Sequence, residues 1–238
     1  MAGTIRTKLP QLRVARGFLA AALLVTCEPA GAANAILPNG TYQYAIIDSG
    51  QAASTSRIVV TRSASKIVIS EHSEPMEPAE VTRRTLDAAT FAALSFADEV
   101  DGRTFTTVTV NGAKAVVKLD GRQTTLSAAP GAPFAVVDAN AASFFQLPAV
   151  LHGASTSRLT LANLFLGYSA MPLSASSSTT PRPAGVPARD VARDVTVDGK
   201  RGTLWFDPQS YVLDRFDLPS QRLAFVLKSY VDVVESLP

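Results

Sequence analysis

The sequence predicts a mainly β fold, in which a curved antiparallel sheet forms an open half-barrel wrapped on one or two short helices. Three observations lead to this prediction. Short runs of β-branched and aromatic residues alternate apolar with polar positions, which is typical of half-buried strands. Asn-Gly and Asp-Gly pairs separate several of these runs, and such pairs favour the tight turns of β-hairpins. Helical patterns are almost absent from the 238 residues.

The predicted strands follow one another from residue 40 onwards. An Asn-Gly pair at 111–112 and Asp-Gly pairs at 120–121 and 198–199 can adopt the positive φ values of type I′ turns, and they predict three hairpins. The last four strands form a C-terminal meander. The predicted strands are residues 40–48, 56–62, 66–70, 80–86, 104–110, 113–119, 123–126, 194–197, 202–207, 211–217 and 222–230.

One segment, residues 138–147, has a helical pattern. Asp138 is a suitable N-cap residue, and apolar side chains lie along one stripe until Pro148 interrupts it. A further turn through residues 149–152 is compatible with the same stripe. Residues 87–94 are a second candidate for a short helix.

The first 35 residues have the three parts of a secretory signal peptide. Residues 1–16 carry four basic residues and no acid, residues 17–26 are apolar, and small residues follow. The apolar run is about half of the ~20 residues that a membrane span needs. Cleavage after Ala32 or Ala35 satisfies the small-x-small rule. We expect a protein that is exported to the periplasm or secreted, with one mature domain at 36–238.

Cys27, the only cysteine, allows a second interpretation of this segment. Residues 24–27 resemble a bacterial lipobox, in which the cysteine becomes a lipidated N-terminus. Thr26 stands where that motif has Gly, Ala or Ser. We therefore expect cleavage downstream of Cys27 rather than a lipid anchor, which leaves a mature chain without cysteine.

The charge balance excludes a nucleic-acid-binding role. The chain has 22 basic and 20 acidic residues. Four of the basic residues and one of the acids lie in the first 35 positions, so the mature chain has 18 basic and 19 acidic residues and a net charge of −1. The basic surface that nucleic acids require is absent from such a chain. We expect a monomer without a nucleic-acid partner.

Residues 171–189 are rich in Ser, Thr and Pro. Segments of this composition bury little apolar surface, and connections of this length are usually functional or disordered. The sequence that follows is too short to build a core of its own. We therefore expect a flexible loop within one sheet rather than a linker between two domains.

The residue types that bind metals are scattered along the chain. His72 and His152 stand in none of the spacings that zinc sites use, and the sequence has no glycine-rich phosphate loop. We expect no metal and no cofactor. His72 lies at a charged strand end and is expected to be solvated, whereas His152 follows an apolar helix, whose C-terminus favours a basic residue.

Two groups of polar residues leave alternatives open. Asp98, Glu99 and Asp101 could supply calcium ligands, but they lack the regular loop spacing of such sites, and solvated turn residues are the simpler interpretation. Asp138, His152 and a serine could form a hydrolytic triad, but the chain has no Gly-x-Ser-x-Gly motif. We expect that the protein is not an enzyme, and a hydrolase is the third alternative.

Apolar side chains of the helix and the C-terminal strands indicate a candidate binding surface. A sheet with one apolar face must be covered, and an aromatic-rich helix can lie in its concave face. If helix and sheet leave a cleft, that cleft suits an apolar ligand, and otherwise the same side chains form a filled core. The residues expected to line the cleft are Phe144, Phe145, Leu151, Leu204, Phe206, Phe216, Phe225 and Leu227.

Three motifs connect the chain with a known family. They are a Gly-x-Tyr-x-Tyr first strand at 40–44, a Val-Val-Asp that opens the helix at 136–138, and the stretch 199–216 around Trp205. Together with the signal peptide and the strand order, they resemble the superfamily of periplasmic lipoprotein carriers of the Lol type and its uncharacterised secreted relatives. Ser210 stands where the family usually has Thr.

This resemblance implies an open barrel and a role in handling acyl chains. The expected function is that of an exported, non-catalytic envelope protein that binds or carries a lipid or a lipoprotein acyl chain in the concave cleft. The alternative is an envelope scaffold or interaction module with a filled core, which would pair with another envelope protein through an exposed strand edge.

Overall fold

The computed structural model describes residues 36–74, 80–138, 140–154, 157–164 and 168–232. These residues form one large curved, unclosed sheet and a short helical segment. The predicted fold class is therefore confirmed. None of the helices in the described ranges is long and apolar enough to cross a membrane.

Fifteen strands are hydrogen-bonded in this single sheet. Their bounds are β1 Gly40–Asp48, β2 Gln51–Arg62, β3 Lys66–Glu74, β4 Glu80–Asp87, β5 Ala93–Val100, β6 Arg103–Asn111, β7 Lys114–Leu119, β8 Arg122–Ser127, β9 Phe134–Val137, β10 Arg158–Asn163, β11 Ser169–Ser177, β12 Val191–Val197, β13 Lys200–Phe206, β14 Leu213–Leu218 and β15 Leu223–Asp232.

The sheet consists of two meanders that meet at β1 and β15. Strands β1 to β8 pair antiparallel in sequence order, and β10 to β15 do the same from the other side. β1 and β15 are antiparallel partners and join the two series. β9 pairs parallel with β10. The sheet is therefore mixed, whereas the sequence predicted a purely antiparallel sheet. The free edges are β8 and β9, and across the open side β9 lies against β5 while β8 approaches β11.

Tight turns connect the hairpins. The Asp-Gly pairs at 120–121 and 198–199 have positive φ at both residues, which confirms the predicted type I′ turns. The Asn-Gly pair was placed one residue too early. Asn111 pairs with Lys114 at the end of the hairpin, so Gly112, with φ of 57°, takes the first central position. A glycine at that position is typical of a type II′ turn.

The helical segment contains two short helices in direct succession. They are α1 (Ala141–Phe145) and α2 (Leu147–Gly153). The expectation that Asp138 caps the segment was wrong, because the N-cap is Asn140, whose side chain accepts a hydrogen bond from the backbone N–H of Ser143 at 3.2 Å. Pro148 does not interrupt the segment either. It lies in the first turn of α2, where the missing N–H has no intrahelical partner to lose.

Residues 87–94 do not form the second helix that was expected. The Asp87 carboxylate accepts hydrogen bonds from the backbone N–H groups of Ala89 and Thr90, at 3.0 and 2.8 Å, and this closes a turn. β5 begins directly afterwards, at Ala93. An aspartate followed by small residues suits such a turn as well as it suits a helix N-terminus.

The predicted loop at 171–189 begins later than expected. β11 covers Ser169–Ser177 and pairs with β10 on one side and β12 on the other, so only residues 178–190 connect two strands there. The Ser- and Ala-rich composition of β11 is not typical of a strand, and therefore the sequence did not predict it. Pairing with β10 and β12 determines its position.

The core lies on the concave face of the sheet, where the helical segment packs. Tyr42 and Tyr44 of β1 are fully buried, and their rings contact Phe145 of α1 with centroids 5.1 and 6.1 Å apart. Trp205 is buried as well, although it lies outside the core cluster. It alternates along β13 with the core residues Leu204 and Phe206, and therefore lies on the opposite face.

Candidate ligand-binding cavity

A cavity of about 400 Å³ lies between the helical segment and strands β9 to β15. This volume falls within the ~300–1,000 Å³ range of small-molecule sites. Most of its lining is apolar and comes from consecutive strands of the C-terminal meander. The apolar residues are Val137, Phe144, Leu147, Leu161, Met171, Leu173, Val195, Val197, Phe216, Leu218, Leu223 and Phe225.

Three phenylalanine rings form one side of this cavity. Phe144 of α1 contacts Phe216 and Phe225 with ring centroids 4.6 and 4.9 Å apart, and Phe216 stacks on Phe225 at 6.3 Å. Phe216 and Phe225 are directly opposite each other on β14 and β15. Phe144 therefore joins α1 to these two strands along the cavity wall.

The polar part of the lining is small. Asp198, Lys200 and Gln221 are exposed and mark the side of the cavity that faces solvent. Asp138 and Asn163 lie at the ends of β9 and β10. Since the lining contains two aspartates and one lysine, its polar groups form no strongly basic or acidic surface.

Of the eight residues that the sequence predicts to line a cleft, three line this cavity, namely Phe144, Phe216 and Phe225. The other five do not. Phe145 packs on Tyr42 and Tyr44 instead, because successive helical residues face different sides. The remaining four belong to the core or pack against it, and they are Leu151, Leu204, Phe206 and Leu227.

A buried carboxylate holds the start of α1 on the sheet. Glu71 of β3 is 1% exposed and accepts hydrogen bonds from the backbone N–H groups of Ala141 and Ala142, at 3.0 and 2.8 Å. The Ser56 hydroxyl donates a third hydrogen bond to the same carboxylate. The first N–H groups of a helix have no partner within it, so Glu71 both satisfies them and fixes the position of α1.

A buried arginine provides the second attachment of α1. Arg84 of β4 is 1% exposed and donates hydrogen bonds to Asn140 Oδ1 at 2.6 Å and to Ser143 Oγ at 2.8 Å. Its guanidinium also lies over the Phe96 ring, 5.0 Å from the centroid. Burial lowers the pKa of Arg84 to about 10, and the nearby carboxylates, Glu71 first, oppose that shift.

Three carboxylates meet beside the cavity. Oxygens of Glu80, Asp98 and Asp138 lie within 4.8 Å of one another, and Asp138 also lines the cavity. Partial burial, followed by repulsion from the neighbouring carboxylates, raises the pKa of Glu80 and of Asp98. In the described ranges this is the group whose chemistry suits a hard cation such as Ca²⁺.

The calcium group considered from the sequence is not assembled. Of its three members only Asp98 joins the carboxylate group. Glu99 faces Arg83, with Nη1 and Oε1 3.7 Å apart, and Asp101 is exposed in the type I′ turn between β5 and β6. Alternation along β5 turns Asp98 and Glu99 to opposite faces, which sequence adjacency concealed.

The two histidines lie apart from the cavity lining. His152 lies in the last turn of α2, and its ring packs between Phe91 and Tyr211, with centroids 6.0 and 4.4 Å away. His72 is half-buried within β3 and pairs with Val81 of β4, so it is not the solvated strand end that was expected.

No family model matches the chain, and a search of the curated proteins returned no match.

Proposed function

We propose that the protein is an exported, non-catalytic binding protein that holds an acyl chain or a similar apolar ligand in this cavity. The observation that carries the proposal is the cavity of about 400 Å³ whose wall includes Phe144, Phe216 and Phe225. A filled core would leave no such space, because well-packed interiors contain few voids larger than a water molecule.

The chemistry of the lining favours a chain rather than a polar metabolite. Transfer of an acyl chain out of water gains about 0.8 kcal/mol per methylene group, so a single chain binds well without a charged anchor. The exposed polar residues at the solvent-facing side leave room for a head group of either charge. The resemblance to periplasmic lipoprotein carriers and the predicted signal peptide support the same class of ligand.

The first prediction concerns Phe144, which is the helical member of the aromatic wall. Phe144→Asp places a carboxylate against the apolar ligand, and burying an unpaired charge is costly. We expect this variant to bind a fluorescent fatty-acid probe at least ~10-fold more weakly than the wild type, since ~1.4 kcal/mol is enough for that factor. Fluorescence titration measures the affinity.

Three further variants make the result specific, of which Phe105→Asp and His152→Ala are controls and Met171→Trp is a second test. Phe105→Asp introduces the same change at a side chain that is 51% exposed and outside the lining, so it should leave the affinity unchanged. Met171→Trp fills the cavity without adding charge and should weaken binding as well. His152→Ala should bind like the wild type. A wild-type protein that binds no apolar probe would refute the carrier function and leave the scaffold function in its place.

A further inference from the structure

The connection between β11 and β12, residues 178–190, is hydrogen-bonded to the sheet at both ends, and we call it the strap. At one end the Ser178 hydroxyl donates to Asp194 Oδ1 of β12 at 2.7 Å. At the other end Arg189 Nε donates to Asp207 Oδ2, just after β13, at 2.7 Å. The strap therefore spans strands β12 and β13 on one face of the sheet.

Trp205 lies on that same face. Asp194 also accepts a hydrogen bond from Thr203, two residues before Trp205 on β13, so both side chains point away from the core. Trp205 is the only tryptophan of the chain and is 1% exposed. The ends of the strap flank it, and the half-buried strap residues Pro183, Val186 and Pro187 are available to cover its ring.

Asp190, the last residue of the strap, has a buried carboxyl group. Asp190 is 4% exposed, and neither of its carboxylate oxygens has a hydrogen-bond donor among the described residues. Its neighbour is Asp214 of β14, whose carboxyl lies within hydrogen-bonding reach. Asp214 is the extra residue of a β-bulge, since Trp205 pairs with Arg215 and Phe206 with Leu213. A bulge redirects a side chain out of the regular alternation.

We propose that Asp190 and Asp214 share one proton, and that this proton fastens the strap over Trp205. In this arrangement the protonated carboxyl of Asp190 donates a hydrogen bond to the Asp214 carboxylate. Asp190 is buried and Asp214 is half-buried. Two carboxylates in such surroundings that touch cannot both be charged without strong repulsion, whereas a carboxyl and a carboxylate attract each other. Loss of the proton converts the contact into a repulsion and opens the strap.

The surroundings of the pair favour the protonated form at acidic pH. Burial, followed by the charge of Asp214, raises the pKa of Asp190 to about 7, and burial also raises the pKa of Asp214. Asp207 acts in the same direction, while the Arg189 guanidinium opposes it.

Two further groups face the pair. Tyr44 of β1 donates its hydroxyl proton to the Leu213 carbonyl and stays neutral, because burial raises its pKa. Arg182 donates to the Asp190 carbonyl oxygen at 2.9 Å. The pKa of Asp190 is higher in the folded protein than in the unfolded chain. The closed strap is therefore favoured at low pH, and this preference is lost as the pH rises through the pKa that Asp190 has in the folded protein.

Two measurements on the full chain test the proposal. Trp205 fluorescence reports whether its ring is covered. Hydrogen exchange of the strap, corrected for the intrinsic pH dependence, reports opening. Between about pH 5 and about pH 9, we expect the wild-type emission to shift to longer wavelength and the strap to exchange about tenfold faster relative to β13.

The variants separate the pair from its surroundings. Asp190→Asn keeps a hydrogen-bond donor towards Asp214 at every pH, so the strap should stay closed throughout. Asp214→Asn should behave alike, for it also removes the repulsion. Asp217→Asn on the same strand is the matched control, since its partner is Arg215, and it should keep the wild-type pH response.

Three outcomes would overturn the proposal. One is a wild-type strap that opens equally at both pH values, and another is an Asp190→Asn variant with the wild-type response. The third is closure of the wild-type strap by millimolar Ca²⁺ at high pH, because the pair would then hold a cation instead of a proton. If neither variant folds, the ¹³C carboxyl shift of Asp190 in the wild type decides, since an ordinary aspartate titration near ~4 would contradict the shared proton.

Discussion

Glu71 and Glu80 show how the surroundings of a carboxylate decide its effect on stability. Glu71 is fully buried and accepts hydrogen bonds from the start of α1 and from Ser56. Glu80 is partly buried and lies beside Asp98 and Asp138, and its pKa is raised by this burial first and by the two carboxylates second. The negative charge is needed at the first site and opposed at the second.

The same substitution should therefore have different effects at the two positions. Glu71→Gln replaces an acceptor oxygen by an amide that faces backbone N–H groups, and hydrogen bonds to charged groups contribute ~1.5–3 kcal/mol each. We expect it to lower the free energy of unfolding by about 2 kcal/mol in urea denaturation at neutral pH. Glu80→Gln, the matched control, should leave stability unchanged or raise it. Equal losses for both variants would contradict this assignment.

The burial of Arg84 and its hydrogen-bond partners could not be predicted from the sequence. Arg83 and Arg84 form an isolated basic pair in the sequence, and alternation along β4 turns the two side chains to opposite faces. Arg83 faces Glu99 at the surface, whereas Arg84 is buried and bonded to Asn140, 56 positions away along the chain. Only the arrangement of the whole sheet around α1 brings those residues together.

At the scale of elements, Gly153 fixes the distance between α2 and the turn before β5. A Cβ atom at this position would lie 1.8 Å from the carbonyl oxygen of Thr90, which is backbone and cannot move aside cheaply. The helix can therefore approach the turn only because residue 153 has no side chain.

Gly153→Ala tests this packing. In an unconstrained helix the substitution stabilises by up to ~1 kcal/mol, because alanine is the better helix former. Here we expect the opposite sign, a loss of ~1–3 kcal/mol, because the added methyl group overpacks the contact. Thermal or urea unfolding measures the difference. A variant as stable as the wild type would show that α2 does not touch the turn.

The elements that the sequence predicted best are those determined by local chemistry. Alternating runs and Asp-Gly turns predicted β1 to β4, β6 to β8 and β12 to β15, whereas β5 was not predicted. β9 was missed as a strand because all four of its residues are buried, which leaves no alternation to detect. β10 is the parallel partner of β9 and is reached through the helical segment, as parallel pairing requires. Such non-local pairing leaves no periodic signal in either strand.

In the whole molecule, the order of the strands in the sheet determines which side chains line the candidate site. The sequence correctly placed Phe216 and Phe225 on one face, because both follow the alternation of the C-terminal meander. It did not predict Leu161 and Met171, which lie on β10 and β11 and reach the cavity only because those strands extend the same sheet. A cavity depends on what neighbouring strands leave unfilled, and that is not a property of any single segment.

Methyl NMR of the wild-type protein titrated with a saturated fatty acid tests directly whether this cavity binds the ligand. The proposal predicts chemical-shift changes at methyl groups that line the cavity, such as those of Leu161, Met171 and Val195. Ile69 and Val117, in the core under β3 and β7, should not change. Shifts that are absent, or that appear at Ile69 and Val117 but not at the cavity, would contradict the claim that this cavity binds the ligand.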